Sequence, residues 1–345
     1  MRRAGADFWE IRKRSRAGPD PPGVAYCCNK TEDKAVGGAI TQGGNVSMKR
    51  RDRLTGSQSG FLWSIVMPVI ALFIIIRVIP VLIVLLMSFT NYNMNRPLVR
   101  FLPYQNFLRI FGDPNFVTAF VNSTEFVVVA VPLEILLGLV FAIYLSRKLR
   151  FESLFETLYF LPYIVPMVPA AIIWKWIYAP GTYGLANYVL DLMGFPRVGW
   201  MSTPQITLLA VIGIHVWKQL GFFVIIFLVG LKNIPASYRE AALVDGATRW
   251  QVTRRVELPL LRPVILFGVV MATIWAWSAF TEVYIMSQGT DISTGAEIQV
   301  MVTRIYAEGF LYFNMGYASA ISFVLFIVSL VFVGLQFKLF RERSA

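Results

Sequence analysis

The chain has 345 residues, of which 56% are hydrophobic and 15% charged, and it carries a formal net charge of +12 at pH 7. So apolar a composition excludes an ordinary soluble domain. The two adjacent cysteines, Cys27 and Cys28, exclude a disulfide framework and a cysteine-based metal site. The excess charge belongs to a chain whose basic residues collect on cytoplasmic loops, not to a nucleic-acid binder.

Residues 1–60 mix Gly, Ser, Pro and both signs of charge without a hydrophobic period, and are expected to form a disordered basic cytoplasmic segment. Arg2-Arg3 is not a twin-arginine signal, because no apolar stretch follows it before Phe61. Met48 stands just ahead of the basic run Lys49-Arg50-Arg51-Asp52-Arg53, so residues 1–47 are expected to be a dispensable extension or a mis-called start. Apolar runs then fall at 61–88, 117–145, 154–179, 205–231, 264–287 and 316–338. Each exceeds the roughly 20 residues needed to cross a bilayer core. The expected fold is all-α, a polytopic transmembrane helix bundle of six spans.

An even number of spans puts both termini on one side. If that side is the cytoplasm, it holds 16 Lys and Arg: four in 49–53, three in 147–150, six in 232–262 and three in 338–343. The other side holds five: Arg96, Arg100, Arg109, Arg197 and Arg304. The positive-inside rule selects this orientation, with N- and C-termini cytoplasmic. The outer loops, such as Pro180-Gly181-Thr182-Tyr183-Gly184 and Gly194-Phe195-Pro196, are too short for a domain. Capture of a solute outside therefore falls to another chain.

One inner loop, 232–263 between spans four and five, has legible local signals. Ser237 with Glu240 fits a capping box, predicting a helix from there through Ala241 and Ala242 to a stop at Gly246. Thr248 with Gln251 fits a second cap, and Pro259 is expected to end the second helix. A helix lying on lipid head groups is one reading of such a loop. The small residues Ala241, Ala242, Gly246 and Ala247 favour close approach of a protein instead, and acidic Glu240 and Asp245 gain nothing from an anionic surface.

The string Glu240-Ala241-Ala242, Asp245-Gly246-Ala247, Trp250, Leu258-Pro259 and Pro263 resembles the EAA loop of the permease subunits of binding-protein-dependent ABC importers. Over residues 61–340, Pro80 with Ser88-Phe89-Thr90, Leu161-Pro162 with Pro166 and Trp174, and Gly316-Tyr317-Ala318-Ser319-Ala320 are similar to the carbohydrate-uptake branch. Phe280 to Met286, Ile305-Tyr306 and Phe310 also look like that branch, in particular its maltose-type first permease subunits. Thr253, where relatives often have Phe, departs from the pattern. So do Ser287-Gln288-Gly289-Thr290, in place of a Gly-Gly-Pro turn, and Glu282, near a common Asp.

The resemblance implies a multi-pass protein of a bacterial or archaeal inner membrane that imports a sugar or oligosaccharide. It implies partners: a second homologous permease, an ABC ATPase dimer and an extracytoplasmic solute-binding protein. It also assigns ATPase coupling to Glu240, Ala241, Ala242, Asp245, Gly246, Ala247, Leu258 and Pro259. Alternatives are import of another small polar solute such as glycerol 3-phosphate, an ion-driven secondary transporter working alone, and a membrane scaffold.

A charge inside a span faces the bundle interior, a cavity or a partner. Arg77 is expected to pair with Glu134, Lys175 and Glu125 to be structural, and the single histidine, His215, to be a packed core residue. Trp217, Lys218, Trp275, Trp277, Ser278, Glu282 and Tyr284 combine aromatic faces with hydrogen-bonding groups and are the candidates for a neutral sugar's path. One histidine is no metal site, and no Gly-x-x-x-x-Gly-Lys-Ser/Thr cradle for nucleotide phosphates occurs. No cofactor, metal, nucleic acid or enzymatic activity is expected.

Overall fold

The computed structural model describes residues 56–96, 98–147, 152–287 and 298–342. The expectations about the N-terminal extension, its cysteines and basic run, and the 288–290 turn lie outside the described residues. The chain divides into two compact units, Met1–Trp63 and Ser64–Ala345. Of the first unit the described residues are 56–63, the opening of the first helix.

In chain order the helices are α1 (Gly56–Phe73), α2 (Ile79–Ser88), α3 (Gln105–Gly112), α4 (Pro114–Leu145), α5 (Glu152–Ile164), α6 (Met167–Ile177) and α7 (Leu185–Leu192). There follow α8 (Pro204–Lys232), α9 (Ala236–Val244), α10 (Arg249–Val252), α11 (Leu258–Trp277), α12 (Thr281–Ser287), α13 (Met301–Tyr306) and α14 (Met315–Glu342). Among the described residues the only strand-like pairings are two isolated bridges, Thr90 with Phe101 and Asn93 with Arg96. The fold is all-α, as expected.

Among the described residues, five helical stretches are long and apolar enough to cross a membrane: Trp63–Ser88, Pro114–Leu145, Pro204–Lys232, Arg249–Ser287 and Met315–Phe340. The third predicted span, 154–179, is instead a pair, Glu156–Ile164 and Met167–Ile177, bent by 102°. The break falls just before Pro166, which N-caps α6. A proline disfavours helical backbone at the residue before it, so the chain turns there.

Two other prolines do not stop their helices. A π-turn at Ile74–Val78 precedes Pro80, and another at Thr253–Glu257 precedes Pro259; in each, an N–H reaches back five residues, Ile79 to Ile74 and Leu258 to Thr253. The wider turn shifts the hydrogen-bond register just where a proline has no N–H to offer and its ring needs room. Pro259 therefore begins α11 and does not terminate the second loop helix, and Arg249 to Ser287 forms one helical stretch.

The core sits where α4 crosses α8, around Phe126, Ile214, Phe223, Phe227 and Leu231, all fully buried. Gly138 makes that crossing possible: a Cβ there would lie 2.7 Å from Phe223 Cβ. α11 packs on α4 and α14, α5 on α8, α12 on α6 and α8, and α14 on α2.

At the opposite end of α4 from the basic loops, a charged cluster ties three helices together. Arg304 of α13 reaches Asp113, the N-cap of α4, at 3.1 Å and Glu308 at 2.5 Å. Tyr317 of α14 donates to Asp113 at 2.8 Å, and Asn314 donates to Glu308 at 3.1 Å. Burial pushes the Asp113 carboxyl up, but the Tyr317 hydroxyl, the Arg304 guanidinium and the Asn115 N–H together hold it below the ordinary carboxylate value.

Candidate functional site

The loop between the fourth and fifth spans begins where α8 ends at Lys232. α9 starts at Ala236 behind Pro235, without a side-chain cap. The predicted Ser237–Glu240 box is therefore not formed: Pro235 supplies a preset backbone, which places Ser237 inside the first turn. At its other end α9 closes as expected. Gly246 adopts φ +82°, its N–H donates to Leu243 O at 3.1 Å, and the Ala247 N–H donates to Ala242 O at 3.0 Å. That crossed pair is a Schellman stop, which needs a left-handed residue at the glycine's position. Thr248 and Gln251 then form the predicted capping box, with Thr248 N–H to Gln251 Oε1 at 2.7 Å and Gln251 N–H to Thr248 Oγ1 at 3.3 Å.

The turn's tip projects outward. Glu240, Ala241, Asp245 and Gly246 are exposed, Ala242, Ala247, Leu258 and Pro259 are half-buried, and Val244 is 87% exposed. What holds this projection rigid was not visible in the sequence. Arg239 Nη2 donates to Leu231 O at 2.6 Å, capping the end of α8. Its Nε lies 2.6 Å from Glu257 Oε1, and Glu257 Oε2 accepts from Thr253 Oγ1 at 2.8 Å. One arginine thus links the end of α8, α9 and the π-turn that leads into α11. Thr253, the departure from the family pattern, supplies a hydroxyl to the same strut. The available signal was the pair of opposite charges, Arg239 and Glu257, straddling a glycine turn.

A second polar layer lies inside the spans. His215 of α8 places Nδ1 2.6 Å from Glu282 Oε1 of α12 and Nε2 3.4 Å from Glu134 Oε1 of α4. All three side chains are buried. His215 is a packed core residue, as expected, with Phe126 at its ring edge at 5.1 Å between centroids, and it also pairs with Glu282 and lies beside Glu134. Arg77, exposed on its π-turn, does not pair with Glu134. One turn along α8 from His215, Lys218 Nζ donates to Tyr163 O at 3.1 Å and Val165 O at 2.8 Å. Those carbonyls belong to the α5–α6 break, whose freed backbone groups need a donor in hydrocarbon. Lys175 donates to Ile285 O at 3.2 Å, joining α6 to α12.

The other path candidates lie around this layer. Trp217 meets Trp174 edge-on at 5.4 Å, and Trp275 packs on Phe222 at 4.8 Å. Trp277 is buried against Phe332. Ser278 is exposed at the break between α11 and α12, and Tyr284 stacks on Phe280 at 5.2 Å.

Up to six spans among the described residues, with one braced and exposed loop between two of them, define a multi-pass helical membrane protein. Residues 134–343 match the family model of the binding-protein-dependent transport system inner membrane component. The chain belongs to this family and is a multi-pass inner-membrane permease component of an ABC importer. It is 35% identical over 283 residues to the probable ABC transporter permease protein YesP of Bacillus subtilis, covering 81% of this chain and 88% of that relative. It is 32% identical over 285 residues to the lactose transport system permease protein LacF of Rhizobium radiobacter, covering 82% of this chain and 94% of that one. The crystal structure of a bacterial ABC transporter involved in the import of the acidic polysaccharide alginate shares its fold. The TM-score is 0.72 at 24% identity, over 83% of this chain and 96% of that one.

Proposed function

We propose that this chain forms half of the translocation pathway of an ATP-driven sugar or oligosaccharide importer, with both termini and the 232–263 loop in the cytoplasm. A second homologous permease supplies the other half. ATP is hydrolysed on a separate ATPase pair, and an extracytoplasmic binding protein delivers the solute. The observation that carries this reading is the braced loop. The exposed Glu240–Gly246 tip fits a groove on an ATPase, and the Arg239–Glu257 strut makes α9 a lever on α8 and α11 at once.

Trp217, Trp275, Ser278 and Tyr284, half-buried or exposed, are proposed to face the solute. Trp277, Lys218 and Glu282 hold the wall behind them. A neutral sugar suits this mixture of ring faces, hydroxyls and indole N–H groups better than an ion does. Reading the chain as a carbohydrate permease also accords with the lactose permease among its relatives.

The test is reconstitution of the chain with its partner permease, ATPase and binding protein in liposomes, followed by uptake of labelled sugar. Glu240→Lys and Gly246→Pro are expected to insert normally and to lose ATP-dependent uptake. Normal uptake in both, or ion-driven uptake by the chain alone, overturns the reading.

A further inference from the structure

The second span, α4, ends beside the coupling loop, and between them lies a cavity of about 460 Å³. Its charged lining is Arg147 just past the end of α4, Arg239 from α9, Arg249 from α10 and Glu257 from the π-turn. Glu257 is engaged by Arg239. Arg147 and Arg249 have no ion pair among the described residues, so the cavity keeps two uncompensated positive charges. Its apolar lining is Ile143, Leu243 and Val252. Ile143 belongs to the last turns of a membrane-spanning helix, which places the cavity at the level where hydrocarbon gives way to head groups.

We infer that this cavity binds the phosphate-bearing head group of an anionic inner-leaflet phospholipid. Arg147 and Arg249 hold the phosphate, and the Ile143–Leu243–Val252 wall meets the glycerol and upper acyl chain. A phosphate ester presents a delocalised anion that guanidinium groups grip through paired hydrogen bonds. Basic pockets beside spans on the cytoplasmic side attract anionic head groups, and that is the side the positive-inside rule assigns to this loop.

An acidic side chain of the ATPase is a poorer occupant. Arg239 and Leu243, four residues apart, line the cavity, whereas Glu240 and the 87%-exposed Val244 do not. The lipid thus wedges between the second span and the loop, on the inner side of the lever. Its occupancy is expected to stiffen the contact between α4 and α9–α10. This site stands independently of the solute proposed above.

Free phosphate shares the head group's chemistry, so the experiment separates the two. The full-length chain is placed in detergent micelles and titrated with phosphatidylglycerol, phosphatidylcholine or inorganic phosphate, and retained adducts are counted by native mass spectrometry. One phosphatidylglycerol per chain is expected to survive where phosphatidylcholine does not. The double variant Arg147→Gln, Arg249→Gln is expected to weaken its retention about tenfold or more, because both guanidinium partners of the phosphate are removed. Lys338→Gln, which removes a basic residue away from the cavity, is the control and is expected to leave retention unchanged. Arg147→Lys with Arg249→Lys keeps both charges but not the paired hydrogen bonds and is expected to restore retention in part, which separates a binding defect from a folding one.

Equal retention of phosphatidylcholine, equal loss in the Lys338→Gln control, or full competition by millimolar inorganic phosphate overturns the lipid assignment. So does unchanged lipid retention in the double glutamine variant, whether or not its association with the ATPase weakens.

Discussion

The Arg239–Glu257 strut offers the sharpest test of the proposed coupling through the loop. The pair is neither a surface ion pair, worth about 0–1 kcal/mol, nor a fully buried one, whose rupture costs about 3–5 kcal/mol. Glu257's side chain is 9% exposed and Arg239's 30%. Removing the arginine leaves a buried carboxylate with only the Thr253 hydroxyl, and leaves Leu231 O without its donor. Removing the acid leaves an arginine that water reaches and that still caps α8. The two deletions are therefore unequal. Arg239→Met is expected to cost about 2 kcal/mol, near the lower edge of the buried range. Glu257→Gln, which keeps an acceptor for Thr253, is expected to cost about 1 kcal/mol. Thermal unfolding of the chain in nanodiscs reads both, and uptake per ATP hydrolysed in the reconstituted importer reads coupling. Both variants are expected to lower that ratio, Arg239→Met the more severely. Equal destabilisation to within about 0.3 kcal/mol, or an unchanged ratio in Arg239→Met, refutes the strut as a transmission element.

His215→Leu leaves Glu282 and Glu134 buried without their shared partner, and is expected to destabilise the bundle by about 3 kcal/mol or more. The triple variant with Glu134→Leu and Glu282→Leu removes the stranded carboxyl groups and is expected to recover most of that in thermal unfolding. A triple variant as unstable as the single argues against the bridge. At the end of α4 away from the loop, Asp113 is held below the ordinary carboxylate value. Its contribution to stability is therefore complete above the unfolded value of about 4, and is lost as pH falls through its lower folded value. Acidification from pH 5 to pH 3 is expected to lower the unfolding temperature of the native chain more than that of Asp113→Asn.

The spans were legible because a membrane demands a length of apolar chain, and that demand is written locally. The Gly246 stop and the Thr248–Gln251 cap were legible for the same reason, since each depends on residues within four positions of one another. The start of α9 was misplaced because two valid local signals competed. Ser237 with Glu240 reads as a cap, but Pro235 two residues earlier already supplies the helix entry. Pro259 was misread because the relief lies upstream, in a π-turn over Thr253–Glu257 that no residue type announces. The partners of His215 were illegible for another reason: Glu282 is 67 residues away, and only the packing of α4, α8 and α12 brings the three together.

That packing also connects the two polar layers. α8 carries His215 and Lys218 in its interior and hands Leu231 O to Arg239 at its end. α11 begins at the π-turn that holds Glu257 and leads through the Ser278 break to α12, where Glu282 meets His215. The loop and the buried bridge thus tie the same two spans together at both ends, closing a frame of two helices and two polar struts. A displacement of α9 cannot be absorbed by sliding α8 past α11, because a slide would strand a buried carboxylate at one strut or the other, at several kcal/mol. The Ser278–Phe280 break interrupts this frame between α11 and Glu282, so α11 can bend against α12 there, and Ser278, proposed to face the solute, sits in that break.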